Sequence, residues 1–405
     1  MPARLVALVL AGSILLAQKE PAVAGADPWT RGDPALMAAV GIEAWAPMPL
    51  AGEHSTKDVD VELGDDPPVR WAETRHFKIG VALRDRPWPT DKTERKELRK
   101  ELLALGSVLP DFKLPNKKIT SWHLVLLYAQ RLEELYGDFR GRVGFTAEEP
   151  APTGHGHDGR GFHARGSWGK GPWLGQHGKF VVLVLERRSD LARYLRRFAG
   201  REAEEGTCHH FVESNSLVFV TTPDVRTGAL ATERALYCNV IYGVIRNLVT
   251  GYRGYTYEVP VWNVEGLAHW YRRRFDTKYN SMAALPEGQW GLLHDADWEA
   301  KSRARVETGA FAKASDLLRW RQQDLDTFHH HVMMWARVDF LMAQGDEKFA
   351  RYLEILKALP SFGVDWDQAV AQQTKALHEA YGLDEGAFDT AWTEWVEANY
   401  KLKRR

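Results

Sequence analysis

The sequence has little cysteine, little net charge and, beyond its first residues, no long apolar run. The 405 residues contain two cysteines, Cys208 and Cys238, so one disulfide between them is the most that can form. The 53 basic and 54 acidic side chains nearly cancel, which removes any electrostatic argument for a nucleic-acid partner or an anionic membrane surface. The 16 tryptophans are scattered without a period, which favours core and groove packing over a repeat architecture.

The first residues are the exception to this shortage of apolar runs. Arg4 precedes an apolar run over 5–17, and small residues follow at 22–26, so residues 1–26 are typical of a secretory signal with a cleavage site. The run is short for a membrane span. We therefore expect an exported protein, periplasmic or extracellular in a bacterium and without a stable membrane span after cleavage. An uncleaved amphipathic anchor is the alternative.

The remaining chain predicts an α+β protein. Residues 27–70 are rich in Ala, Pro, Gly and Asp and predict an extended segment or linker. Strands are predicted at 71–81, 180–185 and 216–221, because each is a short apolar or β-branched run. Helices are predicted from hydrophobic spacing at 92–105, 120–139, 190–198, 327–341, 349–359, 370–381 and 387–399, and a very apolar helix is predicted from Thr232 onward.

A loop over 148–177 combines many glycines with His155, His157, His163 and His177. It has the composition of a metal-binding loop, but the glycine density opposes a preorganised set of ligands and favours a surface insertion. Trp168 and Trp173 in the same loop are candidates for a carbohydrate-binding surface, on composition alone.

The most apolar helix, from Thr232 onward, is predicted to be buried because apolar residues occupy nearly all of its faces. Cys238 and Tyr242 lie four residues apart and so share one face. Asn239 beside them needs hydrogen-bond partners in the interior, and its amide cannot take a proton from water near neutral pH. A phenol such as Tyr242 rarely ligates a metal, whereas a thiolate at Cys238 binds zinc readily.

The segment that follows reads Pro260-Val261-Trp262-Asn263-Val264-Glu265-Gly266-Leu267-Ala268-His269. It resembles the segment of the peptidase MA-like gluzincins in which a helix after Pro-x-Trp carries the glutamate that is the third zinc ligand. That glutamate corresponds to Glu265. In the family the preceding helix carries His-Glu-x-x-His, which supplies two zinc ligands and the general base. The matching window here is Cys238-Asn239-Val240-Ile241-Tyr242, so the motif is degenerate.

The resemblance implies a zincin-like domain over 71–285 and a mainly helical C-terminal subdomain over 286–405. The order of strand, helix, strand and apolar helix matches the upstream half of such a domain, in which an edge strand holds an extended peptide. His331 falls where the family helix often carries a tyrosine facing the cleft, and there its imidazole would donate to an oxyanion. A surface position at the start of a triple-histidine helix is the alternative for His331.

Three metal states are left open by these residues. In the first, the site binds no metal and Glu265 has a structural role. In the second, zinc binds a rewired set of ligands, Cys238, Glu265 and His269. In the third, ordinary zinc hydrolysis is retained. A Cys208–Cys238 disulfide would remove the thiol from any metal site. The leading hypothesis is an exported, non-catalytic homologue of a metallopeptidase that holds a peptide or protein in its groove. The alternative is a peptidase with the rewired metal site.

Overall fold

The computed structural model describes residues 26–146, 169–202, 206–211, 214, 216–254, 260–282, 285–357 and 365–402. Residues 1–25 of the predicted signal lie outside the described residues, as do Trp168 and the loop histidines His155, His157 and His163. The strands are β1 Ile42–Trp45, β2 Pro49–Ala51, β3 His54–Ser55, β4 Arg70–Thr74, β5 Phe77–Ala82, β6 Arg86–Pro87, β7 Lys118–Ile119, β8 Phe180–Leu185, β9 Thr207–Phe211 and β10 Ser216–Thr221.

The helices outnumber the strands and dominate the second half of the chain. They are α1 Pro34–Ala39, α2 Thr56–Leu63, α3 Lys92–Val108, α4 Ser121–Arg142, α5 Arg188–Tyr194, α6 Glu233–Arg253, α7 Val261–Phe275, α8 Trp298–Thr308, α9 Ala314–Leu317, α10 Phe328–Ala343, α11 Asp346–Leu356, α12 Trp366–Tyr381 and α13 Glu385–Asn399. The predicted mixture of α and β structure is confirmed. Among the described residues, no helix combines the length and the apolar character needed to cross a membrane.

A six-stranded mixed sheet with the order β1-β4-β5-β8-β10-β9 forms the centre of the N-terminal half. Strands β5, β8 and β10 are parallel, whereas β1, β4 and β9 join their neighbours antiparallel. The apolar runs of β8 and β10 are buried along their whole length, as expected for strands covered on both faces. Strand β9 is an edge strand of this sheet, and it contacts α6.

Each face of the sheet carries its own hydrophobic core. One face packs against α4 and α6, in a core that continues through α7 and α10 to the last helix. The other face packs against α2 and α5. The sheet is therefore the middle of three layers, which is why its central strands read as continuous apolar runs.

The N-terminal segment differs from its predicted extended form. Within 27–70 the chain forms α1, β1, β2, β3 and α2, and β1 pairs with β4 as the far edge of the sheet. The buried ammonium of Lys179 helps to hold it there, since Nζ lies 2.6 Å from Glu43 and 2.9 Å from Glu73. These elements are too short to give a sequence period, so only their tertiary partners reveal them.

The predicted single strand over 71–81 is also two strands. Arg75 and His76 form the turn between β4 and β5, which pair antiparallel. Such a two-residue interruption leaves the β-like composition of the segment unchanged.

Candidate functional site

Helix α6 lies close against the sheet because a glycine faces it. A Cβ on Gly243 would fall 2.2 Å from the ring of Phe219 on β10, so no larger residue fits without displacement. Thr232 begins the helix by accepting a hydrogen bond from the Ala235 amide at 3.1 Å. This placement buries Cys238 and Tyr242 and leaves Asn239 half-buried.

The Glu265 carboxylate is fully bonded within the protein. The side chain is 1% exposed; its Oε1 lies 2.9 Å from Nε of Arg246, and its Oε2 accepts a hydrogen bond from the Tyr242 hydroxyl. A buried carboxylate is costly unless it is paired and hydrogen-bonded. Here a guanidinium cation and a phenol from α6 meet that need. In the resemblance, the carboxylate binds zinc instead, and Tyr242 stands at the position of the second zinc-binding histidine.

Two histidines meet beside this carboxylate. Nε2 of His269 on α7 lies 2.9 Å from Nδ1 of His331 on α10, and both side chains are fully buried. Burial lowers the pKa of His331 to about 3, and burial together with His331 lowers the pKa of His269. Both rings are therefore neutral at pH 7, so one donates the hydrogen bond and the other accepts it.

A glycine also explains how these histidines come together. A Cβ on Gly266 would lie 2.5 Å from the backbone oxygen of Met334 and 2.6 Å from Val338 Cγ2. Helices α7 and α10 thus approach closely at a point three residues from His269 on one helix and three from His331 on the other. The two imidazoles then lie side by side across that contact.

Glu265, His269 and His331 form a candidate metal-ligand group, since one ligand atom from each lies within 4.8 Å of the others. Two imidazoles and a carboxylate suit zinc, and two nitrogens bound to one zinc would be about 3.3 Å apart, close to the separation of this pair. The charges do not fit. Arg246 already holds the carboxylate, and Arg272 and Arg273 are near enough to lower the pKa of His269. Among the described residues, a dication would lie near three guanidinium groups and one carboxylate, so these residues in this arrangement do not suit zinc.

Cys238 does not join this group within the described residues. Its side chain is fully buried and burial raises the pKa of the thiol to about 12, so zinc binding there would have to displace a tightly held proton. Cys208 is also a free thiol, and its Sγ lies 3.5 Å from the backbone oxygen of Gly243. The structure therefore holds no Cys208–Cys238 disulfide.

Asn239, at the position matching the general base, is oriented by the sheet. Thr221 Oγ1 of β10 donates to Asn239 Oδ1 at 2.7 Å. The amide oxygen is thus engaged and the NH₂ group is the free end of the side chain within the described residues. An amide in this position orients a ligand and does not deprotonate water.

Trp173, one of the two tryptophans proposed for a carbohydrate surface, is 7% exposed. Its indole N–H donates to the Arg75 backbone oxygen at 3.1 Å. It is a packing residue, so Trp173 offers no binding face.

A pocket opens over the α6 face that carries Asn239, Tyr242 and Arg246. The rest of its described lining comes from Gly206, from Phe219 on β10, from the 225–230 loop and from residues 280–282 and 285–293. Arg246 was missed as a functional residue by sequence reasoning, although it follows Tyr242 by one turn and therefore shares its face. That spacing was the available signal.

Comparisons with models of known protein families and with curated proteins give no match for this chain. The resemblance to the gluzincins therefore rests on the sequence, strongly at Pro260–Tyr271 and more loosely in the C-terminal helices.

Proposed function

We propose that this chain is an exported, non-catalytic homologue of the zincin-fold metallopeptidases that keeps the cleft beside α6 as a binding surface for a peptide or protein. The proposal treats 71–285 as the zincin-like part and 286–405 as its helical C-terminal subdomain. One observation carries it. The Arg246 guanidinium and the Tyr242 hydroxyl occupy both oxygens of Glu265, the carboxylate that the resemblance assigns to zinc.

The sheet supports the same proposal. Strand β9 is an antiparallel strand at the sheet edge and lies beside α6, and its sulfur contact to Gly243 joins the two elements. An edge strand offers unpaired backbone groups to an extended peptide. The edge of β9 and the neighbouring pocket together offer a surface for such a peptide.

The direct test is cleavage of casein and of a mixed peptide pool by the untagged chain, with and without a chelator. We expect no cleavage above a buffer blank under either condition, because the site lacks both a base and a metal-activated water. A zinc endopeptidase run in parallel gives the positive control. Cleavage that the chelator stops and that Glu265→Ala abolishes would contradict the proposal.

A second candidate function is a hydrolase with a rewired metal site. The specific observation in its favour is the cluster of Glu265, His269 and His331, which replaces the predicted ligand Cys238 by His331. This candidate requires Arg246 to leave the carboxylate before a metal binds. It predicts metal-dependent activity that His331→Ala removes and Cys238→Ser retains, measured on the same substrates.

A further inference from the structure

The pocket over α6 has a volume of about 80 Å³. Pockets that enclose a drug-sized ligand usually measure about 300–1,000 Å³, so this one takes the end of a larger ligand or a very small molecule. Its lining combines the apolar side chains of Phe219, Leu230, Leu285, Trp290 and Leu293 with polar side chains from α6 and from residues 280 and 281. A ligand end that carries both an apolar group and a polar group therefore matches this lining.

Arg246 is the single charged residue among the described residues that line this pocket. Its Nε faces Glu265 at 2.9 Å, while its side chain keeps 23% of its surface exposed. The guanidinium is a planar fork, so binding through Nε leaves the terminal NH₂ groups for a second partner. Glu265 thus fixes the orientation of a cation that still has donors for an anion.

Two residues that line this pocket each have a buried polar atom without a hydrogen-bond partner within the described residues: Asn280 Oδ1 and Ser281 Oγ. Asn280 is 2% exposed, and its Nδ2 donates to the backbone oxygens of Leu292 at 3.1 Å and Asp295 at 2.8 Å. Those two bonds orient the amide, so Oδ1 is an acceptor in need of an N–H donor. Ser281 is 4% exposed and supplies a hydroxyl that pairs with either kind of group.

We propose that this pocket binds a carboxylate carried on an apolar group, with the C-terminal residue of a peptide as the source. Arg246 and the Asn239 NH₂ group hold the carboxylate, the apolar walls hold the side chain, and Asn280 Oδ1 accepts the final peptide N–H. This inference rests on the proposed binding function and names its ligand class. A phosphate dianion suits the pocket less well, because one guanidinium already shared with Glu265 would face two negative charges.

The test is equilibrium dialysis of the full chain against a degenerate pool of N-acetyl tetrapeptides, prepared both as free acids and as C-terminal amides. We expect the free acids to be retained roughly tenfold or more over the amides, since a hydrogen-bonded pair with a charged group is worth that factor. Butanoate is dialysed separately as a free small acid. Retention of butanoate without the peptides would keep the carboxylate site and assign a free acid as its source.

Arg246→Lys is the decisive variant, because it keeps a cation for Glu265 but loses the second edge of the fork. We expect the preference for free acids to fall roughly tenfold, with Arg319→Lys at an exposed pair with Asp367 as the matched control. Ser281→Ala removes a buried hydroxyl that has no partner within the described residues, so it should fold normally and weaken acid binding several-fold.

Equal retention of acids and amides, or a preference that survives in Arg246→Lys, would overturn the inference. Such a result in a chain that also fails to cleave casein would leave the non-catalytic function standing. Chelator-sensitive cleavage would defeat that function whatever the dialysis shows.

Discussion

The Glu265 carboxylate depends on Tyr242 and Arg246 for its burial. Tyr242→Phe removes the hydroxyl that donates to Oε2 and leaves Arg246 in place. We expect the free energy of unfolding to fall by about 1.5–3 kcal/mol, the range for a hydrogen bond to a charged group. Urea unfolding measures the change.

The matched control for this substitution is Tyr381→Phe, whose hydroxyl donates at 3.3 Å to the uncharged backbone oxygen of Leu341. Its expected cost is about 1 kcal/mol or less. Equal losses in the two variants would mean that Glu265 is not held as a charged group.

His209 lies on the opposite face of the sheet from α6, and its burial makes the stability of the protein depend on pH. Burial, followed by the nearby Arg201 and His210, lowers its pKa in the fold to about 3. An unfolded histidine has a pKa of about 6.5, so between those values the unfolded chain binds the extra proton. Stability should therefore be unaffected by this group above about pH 6.5 and fall by up to about 1.4 kcal/mol for each pH unit below it.

The measurement is urea unfolding across that pH range for wild type and His209→Phe. In the variant, the slope of the free energy of unfolding against pH should decrease by the contribution of one proton. The contributions of His123, His329 and His330, whose pKa values burial also lowers, should remain. Tyr194→Phe removes the hydrogen-bond partner of His209 at 3.1 Å but retains the imidazole, so it should retain the slope. Parallel curves for wild type and His209→Phe would refute the assignment.

Between elements, the contact of α7 with α10 decides the geometry of the site. Gly266→Ala puts a methyl group 2.5 Å from the Met334 backbone oxygen. Because this oxygen belongs to the backbone, no change of side-chain rotamer can relieve the clash. We expect a loss of about 1–3 kcal/mol in the free energy of unfolding, because the helices must separate.

Gly137→Ala on α4 is the control for that helix contact. Nothing lies within 4 Å of a Cβ at this helical position. This variant should gain about 0.5–1 kcal/mol from helix propensity. If both glycine variants were stabilised, the close approach of α7 and α10 would be disproved.

Individual strands and helices differ in how well the sequence predicts them. The strands predicted at 180–185 and 216–221 have the same bounds as β8 and β10. The prediction is possible because a strand that is buried on both faces has an uninterrupted run of apolar residues. The helices α6 and α10 begin directly after Thr232 and Thr327, the residues at which the sequence predicts their starts, and each threonine is the N-cap. The pairing of His269 with His331 could not be predicted, since it depends on a helix contact across 62 residues of chain.

Over the whole molecule, one hydrophobic core joins the sheet to the helices that follow it, from Val40 to Tyr400. The candidate site lies inside that core, where α6, α7 and α10 meet. Charges placed there act in a region shielded from water, and the surplus of guanidinium groups over carboxylates opposes a bound dication. The central claim is therefore that a cation of the protein itself, Arg246, takes the position that the resemblance gives to zinc.

Elemental analysis of the untagged, mature chain tests this claim most directly, with a free-thiol count on the same sample. We predict two free thiols and far less than one zinc per chain, with Glu265→Ala and His331→Ala leaving the metal content unchanged. Near-stoichiometric zinc that either substitution removes would contradict the account and establish the metal site at Glu265, His269 and His331.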